Sequence, residues 1–551
     1  MSHMVLESPS LLFLIAFVPS IFLLNGLKRL VTLPLRWVAY LCGGLCIVVY
    51  LFLCILNVFR PGMLWQDECS MFAIAAAYFH GQPIYHSLSA PDLYAILYGP
   101  ATFLVFIPFL AGFSNPIPAL YIGMFIANAA NLAVIFLILR ERISRLAALA
   151  LLPLATAFLL SFPSIVFGIR GDPWLLLCIS LAIFSAQRSN WIAATIVSGI
   201  FSGLAIDFKP TVLPVVCLML ALLYLRHGLR AAFTSALASA ASALAIFLLP
   251  GISLSNYLVW LVLSSHQHLL QSNFIDVLQN ATFLIVPCLL ILISAPRSHR
   301  RATLGLFLPI LCGFALAFCI VTGSKDGAGA WHLWPMLPCM LLWTAYEASL
   351  RGIDAPFPDS ANLKERNSTA APASTRILRI VSAIALAATL VTLRYGFRDI
   401  RIIYPHGQAQ QRVAERAAEN AIDTLAHRPL SGHNLAMGYG AAVTDYRTNL
   451  RFELSLKGQE YFFDENAIVE AIKEGLPIPT GVVQRILGCN DIWLIPHGDV
   501  PFSTLRTGVL PMTVTPYLFP DIIRLHFTES HILLESGQIY DLWSCPPTSR
   551  P

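Results

Sequence analysis

Asp67 and Glu68 stand side by side in the stretch Trp65-Gln66-Asp67-Glu68-Cys69-Ser70, a few residues beyond an apolar run at 38–59. Ionised carboxylates so close to hydrocarbon are costly, and they persist where they bind or react with something. A solvated turn that stops a helix is the plainer reading of the same pair. Further along, acids and bases recur in small groups: Arg60 and Asp92 flank the pair, Arg170 stands with Asp172, Asp207 with Lys209, and Lys325 with Asp326. Carboxylates in such positions can act as a general base or hold a hard divalent cation. Cations beside them suit an anionic ligand such as phosphate. Each group taken alone also fits a local ion pair, and Asp207 with Lys209, two residues apart, could simply neutralise each other.

The elements that must position these groups are membrane spans. The chain is 57% hydrophobic and 12% charged, with a mean hydropathy of +0.70, far from the balance of a soluble domain. Apolar runs occur at 10–27, 37–58, 119–139, 146–163, 173–188, 191–207, 210–225, 231–250, 281–295, 302–322, 333–350 and 376–396. They predict a mainly α-helical polytopic membrane protein with about twelve transmembrane helices, each of about 17–25 residues or shorter beside neighbours. The run from Gly99 to Phe113 is short and carries Pro100 and Pro108, so it reads as interfacial or re-entrant.

Counting bases in the connections orients the bundle. With 99–113 not crossing, Lys28, Arg29, Arg36, Arg140, Arg142, Arg145, Arg188, Arg226, Arg230, Arg297, Arg300, Arg301, Arg351, Lys364, Arg366, Arg376 and Arg379 share one face. That face is expected to be cytoplasmic, with both termini outside. Up to residue 379 the opposite face holds Arg60, Arg170, Lys209 and Lys325, together with Asp67, Glu68, Asp92, Asp172, Asp207 and Asp326. Topology does not account for these outer cations, which makes them candidates for contacting an anion.

Beyond Tyr395 the composition turns soluble. Strand-like pieces at 434–437, 492–496 and 539–543 alternate with helical stretches at 408–427, 465–474 and 480–487, which predicts a small α/β domain over 397–551 outside the membrane. The membrane domain is then 1–396, with a first outer loop over about 60–118. Gly438-Tyr439-Gly440 is assigned to a turn. Cys489 and Cys545 are this domain's cysteines and could pair in an oxidising compartment. The segment 352–375 reads as a flexible cytoplasmic linker, in which the sequon Asn367-Ser368-Thr369 would be silent. Walker, His-Glu-x-x-His and Gly-x-Ser-x-Gly motifs are absent from the sequence, against an ATP-driven pump, that class of zinc peptidase and that class of serine hydrolase. The net charge of +5 follows from topology and gives no reason to expect nucleic acid.

Several of these motifs, in their order, resemble the GT-C class of polytopic membrane glycosyltransferases, in particular the group of protein O-mannosyltransferases and the lipid A aminoarabinose transferase. Trp65-Gln66-Asp67-Glu68, an Ala-rich segment to Tyr78, Gly81-Gln82-Pro83-Ile84-Tyr85 and Tyr98-Gly99-Pro100 look like that class's first outer loop. Arg170-Gly171-Asp172-Pro173, Phe208-Lys209-Pro210 and Gly323-Ser324-Lys325-Asp326-Gly327-Ala328 are similar to its later outer elements. The likeness spans about residues 37–350. The chain departs from the class in its added helix at 10–27, which is not read as a signal peptide because Lys28-Arg29 follows the apolar run. It also lacks a Lys-Pro-Pro run in the first loop.

The resemblance implies an inverting transfer of a hexosyl or pentosyl group from a polyprenyl-phosphate donor to the hydroxyl of a glycan, lipid or protein acceptor, in cell-envelope polysaccharide biosynthesis at the outer face of the inner or plasma membrane. Polyprenyl phosphate leaves as a stable anion, so the chemistry needs a base and positive charge more than a strong acid. Asp67 is the expected base, with Asp172 or Glu68 orienting the acceptor or, Asp67 with Asp172, holding a divalent cation. Mg or Mn suits oxygen ligands, and Zn would need a histidine as well. Lys209, Lys325, Arg60 and Arg170 are the donor-phosphate candidates. Tyr85, His86, Tyr98 and His332 are those for the acceptor and sugar pocket, although His86, His266, His268 and His332 read as readily as hydrogen-bonded structural residues. The rivals are a secondary transporter, which would carry its charges at the bilayer midplane, and a catalytically inactive envelope-assembly protein that keeps the frame.

Overall fold

The computed structural model describes residues 8–30, 35–60, 63, 66–94, 98–113, 115–265, 267–294, 304–351, 371–403, 433–441, 451–473, 476–504 and 517–546. The 352–370 linker with its sequon, the helix expected at 408–427 and His266 lie outside these residues. Among the described residues, each of the twelve apolar runs is mostly helical. Among the described residues six helices are long and apolar enough to cross a membrane: Tyr40–Val58, Pro116–Arg140, Pro210–His227, Leu229–Leu248, Gln271–Ser294 and Ile377–Arg401. Shorter apolar helices, among them Arg145–Leu160, Asp172–Ala186, Ala193–Phe208 and Phe307–Gly323, complete the bundle. Large apolar side chains point outward from it, such as Phe22 at 71%, Phe314 at 70% and Ile293 at 75% exposure. In a bilayer these are ordinary lipid contacts.

The prolines shape the local detail. Pro153 lies inside the helix Arg145–Leu160, where it removes the N–H that would serve Leu149 O; hydroxyls from Thr156 (3.1 Å) and Thr392 (3.5 Å) donate to the Pro153 carbonyl. Between Gly99 and Phe113 there are two short helices, Ala101–Leu104 and Ile107–Gly112. At about 1.5 Å per residue neither can cross a membrane, in line with the interfacial reading.

The first loop contains the helix Gln66–Phe79, whose first turn holds the acidic pair. Onto it packs the C-terminal domain, whose four strands are ordered β1-β2-β4-β3: Asn434–Met437, Asp491–Pro496, Tyr540–Ser544 and Ile532–Ser536. β1 and β2 are parallel, and the other pairings are antiparallel. Three of these strands coincide with the expected ones. Ile532–Ser536 is an edge strand with mostly exposed side chains, and it is not among the expected strands although Ile532-Leu533-Leu534 is an apolar run. The helices Glu465–Lys473 and Thr480–Leu487 are as expected, and Asp521–Ser530 is additional. Cys489 and Cys545 form a disulfide.

Contacts between this domain and the first loop are specific. Leu93 N donates to Phe462 O at 2.6 Å, and Asp464 N donates to Leu93 O at 2.9 Å. Gln82 exchanges two hydrogen bonds with the backbone of Tyr461, at 3.1 and 3.0 Å. Arg451 donates to Ser70 Oγ, one helical turn from Asp67.

Candidate active site

Two helix N-termini and two extended segments meet at one end of the bundle. Asp67 lies in the first turn of Gln66–Phe79, and Asp172 is the first residue of Asp172–Ala186, ahead of Pro173. Lys209 sits extended between the helix Ser198–Phe208 and the turn Pro210–Val212. Carboxylates near helix N-termini are favoured by the exposed N–H groups there, which is one reason the two acids occupy these positions.

Tyr98-Gly99-Pro100 is tied directly to the lysine turn. Gly99 N donates to Phe208 O at 3.2 Å and Thr102 Oγ1 to the same oxygen at 3.1 Å. A Cβ on Gly99 would lie 1.8 Å from Asp207 O, so no other residue fits this approach without displacing the chain. The segment is thereby held where the Tyr98 ring centroid lies 4.9 Å from Lys209 Nζ.

Arg170 is the hub. Its guanidinium donates to Asp67 Oδ2, to Asp172 Oδ2 at 3.1 Å and to Tyr98 Oη at 2.8 Å. Lys209 Nζ donates to Asp172 Oδ1. Burial opposes the charge on Arg170, but Tyr98, Asp67 and Asp172 outweigh it and hold its pKa above the ordinary value. For Lys209 burial wins over the pull of Asp172, and its pKa is lowered. Asp172 is therefore saturated by two cations and almost wholly buried, whereas the Asp67 side chain is 50% exposed. Among the described residues Asp67 Oδ1 has no hydrogen-bond partner.

His332 borders this group. Desolvation, then the charges of Lys209, Arg170 and Lys325 against that of Asp172, push its pKa down to about 3, so the imidazole is neutral at ordinary pH. Its buried Nδ1 has no hydrogen-bond partner among the described residues. Lys325 Nζ itself donates to Ser265 O at 3.0 Å, at the margin of the cluster.

Four of the expected site residues lie apart from this cluster. Glu68 and Arg60 form a 2.6 Å ion pair with both side chains at 0% exposure. Arg60 Nε also donates to Tyr121 Oη at 3.0 Å, and Glu68 Oε1 accepts from Ile169 N at 2.8 Å. His86 is a structural residue, with Nε2 accepting from Tyr94 N at 3.2 Å and Nδ1 against Ser87 O at 3.1 Å, its ring packed on Trp260. Tyr85 is buried and donates to the carbonyl of Tyr98, so it acts behind the pocket and does not line it. Lys209 pairs with Asp172 and not with Asp207, whose Oδ2 is buried without a hydrogen-bond partner among the described residues.

The donor set does not fit a divalent cation. Asp67 and Asp172 each give an oxygen to the same guanidinium, and Lys209 takes the second oxygen of Asp172. An ion between the two carboxylates would have to displace Arg170. Among the described residues no group of three His, Cys, Asp or Glu side chains is arranged to hold a metal.

These elements define a polytopic helical membrane protein with a small α/β domain resting on its first large loop. A solved structure with a likeness in fold is the archaeal oligosaccharyltransferase AglB from Archaeoglobus fulgidus, determined in complex with an inhibitory peptide and a dolichol-phosphate. The likeness covers 83% of this chain and 69% of that one, with a TM-score of 0.37 and 11% identity. At that level it carries no residue roles. No protein-family model and no curated protein matches the chain.

Proposed function

We propose that the chain is an integral membrane glycosyltransferase that moves a hexosyl or pentosyl group from a polyprenyl-phosphate donor to an acceptor hydroxyl, with inversion. The observation that carries this reading is the half-open carboxylate of Asp67 beside two buried cations, Arg170 and Lys209, which Asp172 holds in place. Asp67 Oδ1 takes the acceptor proton as the acceptor oxygen bonds to the anomeric carbon. The bond from that carbon to the phosphate oxygen breaks on the opposite face, and polyprenyl phosphate departs with its electron pair. Arg170 and Lys209 stabilise the charge on that phosphate, a task for fixed cations in a poorly hydrated site. Asp172 is a positioning residue, because both its oxygens are already occupied. His332 borders the cluster as a neutral imidazole with its Nδ1 buried.

The charges sit at helix ends, which favours this reading over a transporter with a midplane site. Convergence of Asp67 and Asp172 on Arg170 favours an active enzyme over an inactive frame. The basic loops at the other end of the helices support an extracytoplasmic site in the inner or plasma membrane. The Cys489–Cys545 disulfide supports the same side for the C-terminal domain. Glycan, lipid and protein all remain acceptor classes in this proposal.

The test is transfer in membranes supplied with polyprenyl-phosphate sugars, with product read by mass. Asp67→Asn lowers transfer by about 10²- to 10⁴-fold, the range for a lost general base, without loss of folded protein. Wild-type transfer is expected to persist in EDTA. Undiminished transfer by Asp67→Asn removes this residue from the base role, and transfer abolished by EDTA and restored by Mg or Mn returns a metal to the mechanism.

A further inference from the structure

The helices that carry the site residues carry something different at their other ends. Asp172 opens a helix of 15 residues that ends beside Gln187, a length of about 22 Å. Lys209 precedes the helix that holds Arg226 in its last turn. Between these far ends lies a cavity of about 320 Å³, whose lining includes Arg142, Gln187, Arg226, Leu225, Leu308 and Tyr346.

Its chemistry is divided. Arg142 is half-buried, donates from Nε to Gln187 Oε1 at 3.4 Å, and lies 5.7 Å from the Tyr346 ring centroid. Burial first, then the charge of Arg226, lower its pKa. The neighbouring carboxylate, Glu141, is engaged by Arg188 at 2.9 Å, so positive charge is in excess at the cavity. Helix C-termini favour cations by themselves, but that does not account for an open space between the two arginines. The remaining wall is apolar, and Tyr224 and Phe307, adjacent in sequence to the lining residues Leu225 and Leu308, are exposed on the outside of the bundle. Two guanidiniums over an apolar wall at a membrane face match an anionic headgroup joined to acyl chain.

We propose that this cavity binds an acidic phospholipid of the leaflet opposite the active site. Arg142 and Arg226 grip its phosphate, and Leu225 and Leu308 meet its first acyl carbons. The site is independent of the glycosyltransferase reading and stands whether or not that reading does.

The experiment uses the full chain purified in a neutral detergent, with bound lipid read by native mass spectrometry. The probes are dioleoyl phosphatidylglycerol, dioleoyl phosphatidylcholine and inorganic phosphate. Phosphatidylglycerol is expected to bind on the order of tenfold more tightly than phosphatidylcholine, a preference that Arg142→Gln with Arg226→Gln removes. Leu308→Phe fills the cavity while leaving both charges, and it should weaken phosphatidylglycerol alone; it decides the matter if the double variant does not fold. Equal binding of the two lipids, or variants that bind as the wild type does, overturns the proposal. So does full displacement of the lipid by millimolar phosphate, which would mark a site for a free anion.

Discussion

Asp67 and Glu68 follow one another in the first turn of one helix and enter two different environments. Consecutive helical side chains diverge by about 100°, so one acid turns toward the open end of the bundle and the other into its interior. Glu68 meets Arg60, Tyr121 and the Ile169 amide in a sealed network. Asp67 meets Arg170 with one oxygen and leaves the other exposed. Both are acid–arginine pairs, yet the first is fully buried and the second keeps its carboxylate half exposed. Accessibility, and not residue type, separates the structural pair from the candidate catalytic pair.

Exchanging the acids one at a time is the sharpest way to break this comparison. Asp67→Asn, as above, should lower transfer and spare stability. Glu68→Gln leaves the buried Arg60 guanidinium without its counter-ion, at a cost of about 3–5 kcal/mol. Its expected signature is a large fall in melting temperature and yield, with the turnover of the protein that does fold little changed. A stable Glu68→Gln protein without activity would reverse the assignment of the two acids.

Gly99→Ala probes the backbone that holds the open cluster. The added methyl must move the Tyr98 segment away from Asp207 O, and transfer is expected to fall by about tenfold or more, since misplacement of about 1 Å can cost about a hundredfold. Transfer kinetics on folded membranes check this, and unchanged kinetics would show that Tyr98 need not be held. The smallest effect belongs to Tyr98→Phe, which keeps the ring beside Lys209 but removes the hydroxyl that accepts from Arg170 at 2.8 Å. A hydrogen bond to a charged group contributes about 1.5–3 kcal/mol when buried; at this partly exposed position a rise in donor KM of several-fold is expected, with kcat nearly kept. A loss as large as that of Asp67→Asn would place Tyr98 in the chemical step.

The twelve apolar runs announced the helical bundle because a bilayer demands long apolar segments whatever surrounds them, and that demand is written residue by residue. The grouping of Asp67, Asp172, Arg170 and Lys209 was legible for a related reason: ionised side chains at span ends are rare enough to mark themselves. Three of the four strands were legible from their apolar content; Ile532–Ser536 also opens with three apolar residues, but it lies at the sheet edge with mostly exposed side chains and was not expected.

What the sequence could not determine was which cation serves which acid. Asp207 and Lys209 are two apart in the chain, yet Lys209 turns to Asp172, and Arg60 goes to Glu68, eight residues away, and not to a ligand. Nor did residue types distinguish the structural His86 from His332 beside the cluster. These choices depend on which loops the bundle brings to one end, and on whether water or packed side chains reach each charge. Burial and pairing of that kind arise between segments distant in the chain, so the tertiary structure alone decided them.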